Sequence, residues 1–140
     1  MIIEFIKLSS RARLPEFAHE GDAGADVFCL EDVVLEPGVP TKVPTGIASA
    51  LSDGWVALIW DKSSVGVHKG VKVLGGVIDA GYRGEWLIGL INLTQEVVTF
   101  PAGAKVAQVL FQKVERPELT EVAVLDETTR GTGGFGSTGT

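Results

Sequence analysis

The sequence predicts an all-β domain, a barrel or a sandwich. Three observations lead there. Short runs of β-branched and aromatic residues recur along the whole chain. Turn signals such as Pro37-Gly38, Asp53-Gly54, Gly75-Gly76 and Pro101-Ala102-Gly103 separate them. No segment holds a 3.6-residue apolar period. Many short strands with frequent turns are the pattern of closed or two-layered antiparallel sheets.

The expected strands, in order, cover residues 2–7, 26–29, 33–36, 41–43, 47–50, 55–60, 71–73, 86–93, 97–100, 105–114 and 121–125. The segment 86–93 is apolar on both faces and reads as a strand buried on both sides, inside a sandwich or at a subunit seam. One or two helical turns are expected after Ser63, with Ser63 as N-cap. After Asp126 the chain changes character. TTRGTGGFGSTGT has five glycines, one aromatic and no packing face. The expected organisation is therefore one β-domain over residues 1–126 and a mobile tail over 127–140.

With 140 residues, the chain is long enough for one domain with a real core. Hydrophobic residues make up 45% and charged residues 21%, which excludes disorder of the whole. The net charge of −6 lacks the basic face that nonspecific duplex binding needs, so nucleic acid is not an expected partner. The most apolar runs, 55–60 and 86–91, are six residues each, too short to span a membrane. The start, MIIEFIKLSS, has no long apolar signal core, and a cytoplasmic location is expected. Single Cys29 has no internal disulfide partner and reads as a small buried hydrophobe.

Five segments could carry chemistry. In GGVIDAGYRGE (75–85), Asp79 follows an apolar pair and precedes a turn. A carboxylate there either caps the turn or acts as general base on a water. Tyr82 is either sheet packing or a flat wall against a ligand ring. Arg83 and Glu85 read as a structural ion pair. In DKSSVG (61–66), two hydroxyls follow Lys62 at a helix start, either a phosphate grip or a capped turn. In GAKVAQV (103–109), Gln108 lies in an apolar strand and must find partners for its amide. In DAGAD (22–26), the acids either support a metal shell or cap a turn. In RGTGGFGSTG (130–139), Arg130 offers a fork for phosphate, the glycines expose backbone N–H groups, and Phe135 is a stacking ring. The alternatives are a frayed end and a phosphate lid. The string G-x-G-x-x-G also occurs there, but the dinucleotide fingerprint needs a following helix, which this position does not provide. His19 and His68 are isolated.

Taken in order, LPEFAHEGDAGADV (14–27), DKSSVG, GGVIDAGYRGE, GAKVAQV and RGTGGFGSTG resemble the five motifs of the trimeric dUTPase family. That resemblance implies a distorted jelly-roll β-barrel that forms a homotrimer with shared active sites. It also implies magnesium-dependent hydrolysis of dUTP to dUMP and pyrophosphate, which keeps uracil out of DNA and supplies dUMP. Asp79 would activate the attacking water. Gly76, Val77 and Ile78 would hold uracil through backbone groups, Tyr82 would pack on the deoxyribose, and Phe135 would cover the base. Lys62, Ser63, Ser64, Gln108, Arg130, Gly136, Ser137 and Thr138 would contact phosphates. Asp26 would support the metal through water. Lys62 departs from the family's usual arginine, keeping the charge and losing the bidentate fork. Ala104 also departs from the fourth motif, while Lys105 keeps its cation. A dCTP deaminase relative, or a non-catalytic nucleotide sensor, is the alternative on the same fold.

Overall fold

A computed structural model describes residues 2–133. Eleven strands and one short helix follow each other as β1 (Glu4–Lys7), β2 (Ala25–Phe28), β3 (Val33–Leu35), β4 (Thr41–Pro44), β5 (Ile47–Ala50), β6 (Trp55–Trp60), α1 (Ser63–Lys69), β7 (Val71–Leu74), β8 (Val77–Asp79), β9 (Leu87–Asn92), β10 (Val98–Phe100) and β11 (Lys105–Lys113). The larger sheets run β2-β11-β6-β8 and β4-β9-β7, and the pairs β1-β5 and β3-β10 complete the set. All named pairings are antiparallel.

One apolar core serves all four sheets. Val27, Leu35, Val43, Ile88, Leu90, Val106 and Val109 are buried in it. Trp86 is fully buried just before β9 and meets Phe5 edge-on at 5.4 Å. Its indole Nε1 donates to Ser49 Oγ at 3.1 Å, and its carbonyl accepts from Thr45 Oγ1 at 2.7 Å. The indole thus fills the core and satisfies its polar edge. Cys29 is buried as well, and burial pushes its thiol pKa up.

Four expectations need correcting. The segment 121–125 is exposed coil, not a strand. Among the described residues its β-branched side chains have no neighbouring strand to pair with, so their propensity goes unused. The strand β8 was not expected, because its three residues are too few to show a period. Finally, β9 is buried on one face only. Ile88, Leu90 and Asn92 point inward, whereas Leu87 is exposed and Gly89 and Ile91 are half-buried. The second face lines a cavity. The helix also starts one residue earlier than expected. Lys62 is its N-cap, without a side-chain cap bond, and Ser63 is the first helical residue.

Asn92 is fully buried at the end of β9. Its Nδ2 donates to the carbonyls of Leu35 and Glu96 at 2.9 and 2.7 Å. Its Oδ1 accepts from Thr94 N and Oγ1 at 2.9 and 2.8 Å. Asn92→Ala removes all four bonds and strands buried backbone groups. A loss of about 2–4 kcal/mol is expected, read from urea unfolding at fixed protein concentration. A loss below about 1 kcal/mol would show that the network contributes no net stability.

Candidate active site

Two glycines build the floor of the site. Gly75 and Gly76 have φ of 72° and 106°, a region that favours glycine. At Gly76, a Cβ would lie 2.7 Å from the Ile59 carbonyl oxygen, so the two backbones approach as only glycine permits. The Ile59 N–H donates to the Gly76 carbonyl at 2.7 Å. The chain therefore leaves β7, turns sharply and lies against β6 as β8. In that register Asp79 faces Val56 and Val77 faces Leu58.

The turn after β8 is closed by its own groups. Tyr82 N donates to the Asp79 carbonyl at 3.0 Å. The Arg83 guanidinium donates to the carbonyls of Ala80 and Tyr82 at 2.6 and 2.9 Å. Tyr82 Oη donates to the Glu85 carbonyl at 3.0 Å, and Glu85 Oε1 accepts from Gly46 N at 2.7 Å. Arg83 and Glu85 are structural, but they bond to backbone instead of to each other. The expected ion pair is not formed, because turn carbonyls and the Gly46 amide lie nearer.

Between this hairpin and the half-open face of β9 lies a cavity of about 230 Å³. Gly76, Val77, Ile78, Asp79 and Tyr82 line one side, and Leu74, Leu87 and Gly89 the other. Asp79 is exposed at its mouth, and no described side chain pairs with its carboxylate. The carboxylate is free to hold a water, which is what a general base needs. The cavity walls Leu74, Leu87 and Gly89 escaped the sequence reading. For Leu87 and Gly89 the only signal was alternation in β9, hidden because both faces of that strand are apolar.

A second cluster joins three of the segments. Asp26, buried on β2, sits between Lys62 Nζ at 2.7 Å and Lys105 Nζ at 2.6 Å. Burial raises the Asp26 pKa, but the bonds and charges of Lys105 and Lys62 outweigh it and hold the group below its ordinary value. Two ammonium groups against one carboxylate leave a local positive charge on an acidic protein. Beside them, Gln108 Nε2 donates to the Asp61 carbonyl at 2.8 Å, which leaves one N–H of that amide for another acceptor. Gly24 makes room for this side chain, since a Cβ there would lie 2.5 Å from Gln108 Oε1. Asp61 ties the start of α1 to β7 through Val73 N at 2.7 Å and Lys72 Nζ at 2.6 Å. Burial raises its pKa too, and the bonds from Lys72 and Val73 more than reverse that. Ser63 and Ser64 are exposed on the first turn of α1. Arg130 is exposed, with Nε donating to the Gly133 carbonyl at 3.0 Å. Phe135, Gly136, Ser137 and Thr138 lie outside the described residues.

Among the described residues, no group of three or more His, Cys, Asp or Glu could hold a metal. Asp26 Oδ2 is buried without a well-directed hydrogen bond. Two lysines already neutralise that carboxylate, so it does not suit direct ligation. Oδ2 meets Lys105 Nζ at 2.6 Å and keeps lone-pair capacity beyond it, which suits the outer shell of a hydrated magnesium ion that binds mainly to phosphate oxygens and water.

Residues 10–139 match the dUTPase family model. The chain belongs to the dUTPase family. The deoxyuridine 5'-triphosphate nucleotidohydrolase of Mycolicibacterium gilvum is 45% identical over 142 residues, covering 96% of this chain and 92% of the relative. That of Thermobifida fusca is 45% identical over 140 residues, covering 98% and 78%. Among solved structures, a mutant dUTPase of Staphylococcus bacteriophage 80alpha with dUpNHpp superposes with a TM-score of 0.92 at 29% identity, covering 99% of each chain. A mutant dUTPase from phage phi11 of S. aureus, described with a structural Mg(II) ion, has a TM-score of 0.82 at 29% identity, covering 89% of this chain and 98% of that one. Residues of the first, second and fourth motifs thus meet around Asp26, and the third motif lines the cavity.

Acid should loosen the dUTPase core at Asp26. Its folded pKa is depressed, so its contribution to stability is full above the ordinary value of 3.8 and disappears as pH falls through the lower folded value. Asp26→Asn should lower stability at neutral pH and flatten the fall on acidification. Melting curves from pH 7 to pH 2 check this, with the difference expected below the ordinary value of 3.8. An equal slope in both proteins would mean that the lysines do not hold the carboxylate.

Proposed function

We propose that this chain hydrolyses dUTP to dUMP and pyrophosphate, acting as a dUTP diphosphatase that keeps uracil out of DNA and supplies dUMP for dTMP synthesis. The carrying observation is one cavity that Asp79, Tyr82 and the Gly76–Ile78 backbone line together. A rigid backbone edge reads uracil by its hydrogen-bond pattern, and a narrow wall excludes the thymine methyl. Tyr82 packs on the deoxyribose, and Phe135 covers the base.

Asp79 accepts a proton from a water that attacks the α-phosphorus in line. The bond from that phosphorus to the bridging oxygen breaks, and pyrophosphate leaves. One positioned carboxylate supplies about 10²–10⁴-fold. The phosphates lie toward Lys62, Ser63, Ser64 and Gln108, with Arg130, Gly136, Ser137 and Thr138 brought by the tail. The positive excess of Lys62 and Lys105 over Asp26 supports that placement. Asp26 would support a magnesium ion through water, and that ion would supply neutralisation of the phosphate charge.

The working form is a homotrimer of jelly-roll barrels with shared sites. Leu119, Val122, Val124 and Leu125 are exposed at 89%, 57%, 83% and 79%, which supports an assembly in which copies cover one another's coils. The barrel occupies residues 1–126, and 127–140 form the lid. No described helix is long and apolar enough to cross a membrane, and work on a free nucleotide fits the cytoplasm.

Purified protein with magnesium should release pyrophosphate from dUTP and little from dCTP, dTTP or UTP. Ammonia from dCTP would transfer the chain to the deaminase branch. Asp79→Asn should lower turnover by about 10²–10⁴-fold while keeping dUTP binding, measured by calorimetry. Equal turnover in the variant would remove Asp79 from the chemistry. Intact protein should size at about three times 14.8 kDa, and deletion of residues 130–140 should cripple turnover yet leave a trimer of the shortened chain. A fully active monomer would contradict shared sites.

A further inference from the structure

Gly84 is half-buried in the turn behind the cavity. It is not among the glycines with positive φ, so its backbone conformation is open to other residues. Space is the constraint instead. A Cβ at Gly84 would lie 2.4 Å from Tyr82 Oη, 2.6 Å from Cζ and 3.0 Å from Cε2. The Tyr82 ring is folded back over the α-carbon of Gly84 and tied there by its bond to the Glu85 carbonyl.

The neighbouring glycines show why this differs. A Cβ at Gly76 or Gly89 would strike a backbone carbonyl, of Ile59 at 2.7 Å or Leu74 at 2.8 Å. Substitution there would force strands apart. At Gly84 only a side chain is in the way, and side chains move far more cheaply than sheets. The turn itself is held by Arg83 on Ala80 and Tyr82 and by Glu85 on Gly46. With the turn fixed, the ring has to leave.

We infer that Gly84 is a positioning residue that sets nucleotide selectivity by seating the Tyr82 ring against the wall of the cavity. This rests on the reading that Tyr82 packs on the sugar of a bound deoxynucleotide. A seated ring gives a hydrogen at the 2′ position close contact and leaves no space for a hydroxyl. A displaced ring loses both effects, so dUTP loses a contact and UTP loses an obstacle. Misplacement of a substrate-orienting group by about 1 Å can cost about 100-fold. Selectivity between the two sugars therefore falls even if the fold is unharmed.

The test compares kcat/KM for dUTP and for UTP in the wild type, Gly84→Ala and Tyr82→Phe. Gly84→Ala should lower the dUTP-to-UTP ratio by at least about tenfold, with a raised KM for dUTP. Tyr82→Phe keeps the glycine but cuts the tether to Glu85, and its ratio should fall as well. A structural role alone would lower both substrates equally and leave the ratio unchanged. Tyr82 is the only tyrosine in the chain. Tyrosine-labelled protein thus gives one set of ring NMR signals, which should shift in Gly84→Ala while the melting temperature holds.

An unchanged ratio in either variant, an unmoved ring signal, or loss of the fold in Gly84→Ala would each overturn the proposal. Absence of pyrophosphate release from dUTP by the wild type would instead defeat the functional reading. The ring signal would still decide whether Gly84 seats Tyr82.

Discussion

The site depends on the contact between Ile59 and Gly76. One N–H to carbonyl bond of 2.7 Å holds the strand that bears Asp79 against the edge of the large sheet. The approach leaves no volume for a side chain at position 76, and the positive φ there suits only glycine well. From that contact follow the direction of β8, the exposure of its carboxylate and the cavity beside it. The turn that follows adds a second layer of order. Its bonds run to backbone atoms throughout, so its shape does not rely on exposed ion pairs, which contribute little in water.

Charge is organised on a different scale. The chain carries a net −6, yet Lys62 and Lys105 meet at Asp26. The buried carboxylate holds two ammonium groups close together at the meeting of β2, β11 and the start of α1. A triphosphate needs such a local field more than a favourable total charge. A lysine in place of arginine at position 62 is compatible with this arrangement, because each lysine meets one carboxylate oxygen as a point charge and no bidentate fork is called for.

Most of the sheet framework was legible in the sequence, since runs such as those at β5 and β6 coincide with the strands. The misreadings share a cause. Residues 121–125 have strand composition but no strand neighbour among the described residues, and pairing, not propensity, decides β-structure. In β9, Leu87 and Ile91 are as apolar as their buried neighbours, so composition could not say that one face opens on a cavity. The family was legible in the order of its motifs. What Arg83 and Glu85 bond to was not, because a turn's carbonyls leave no mark in sequence. Nor was the use of Gly84, where the informative atom belongs to a neighbour two residues away.

The brevity of β8 has its own consequence. Among the described residues it is a three-residue edge strand with a partner on one side only. Segments of this kind open locally at less cost than the core around Trp86. Anything bound in the cavity touches both β8 and β9 and therefore closes that local equilibrium. Occupancy and order in the hairpin are then one linked quantity, and part of the binding free energy is spent on completing the sheet.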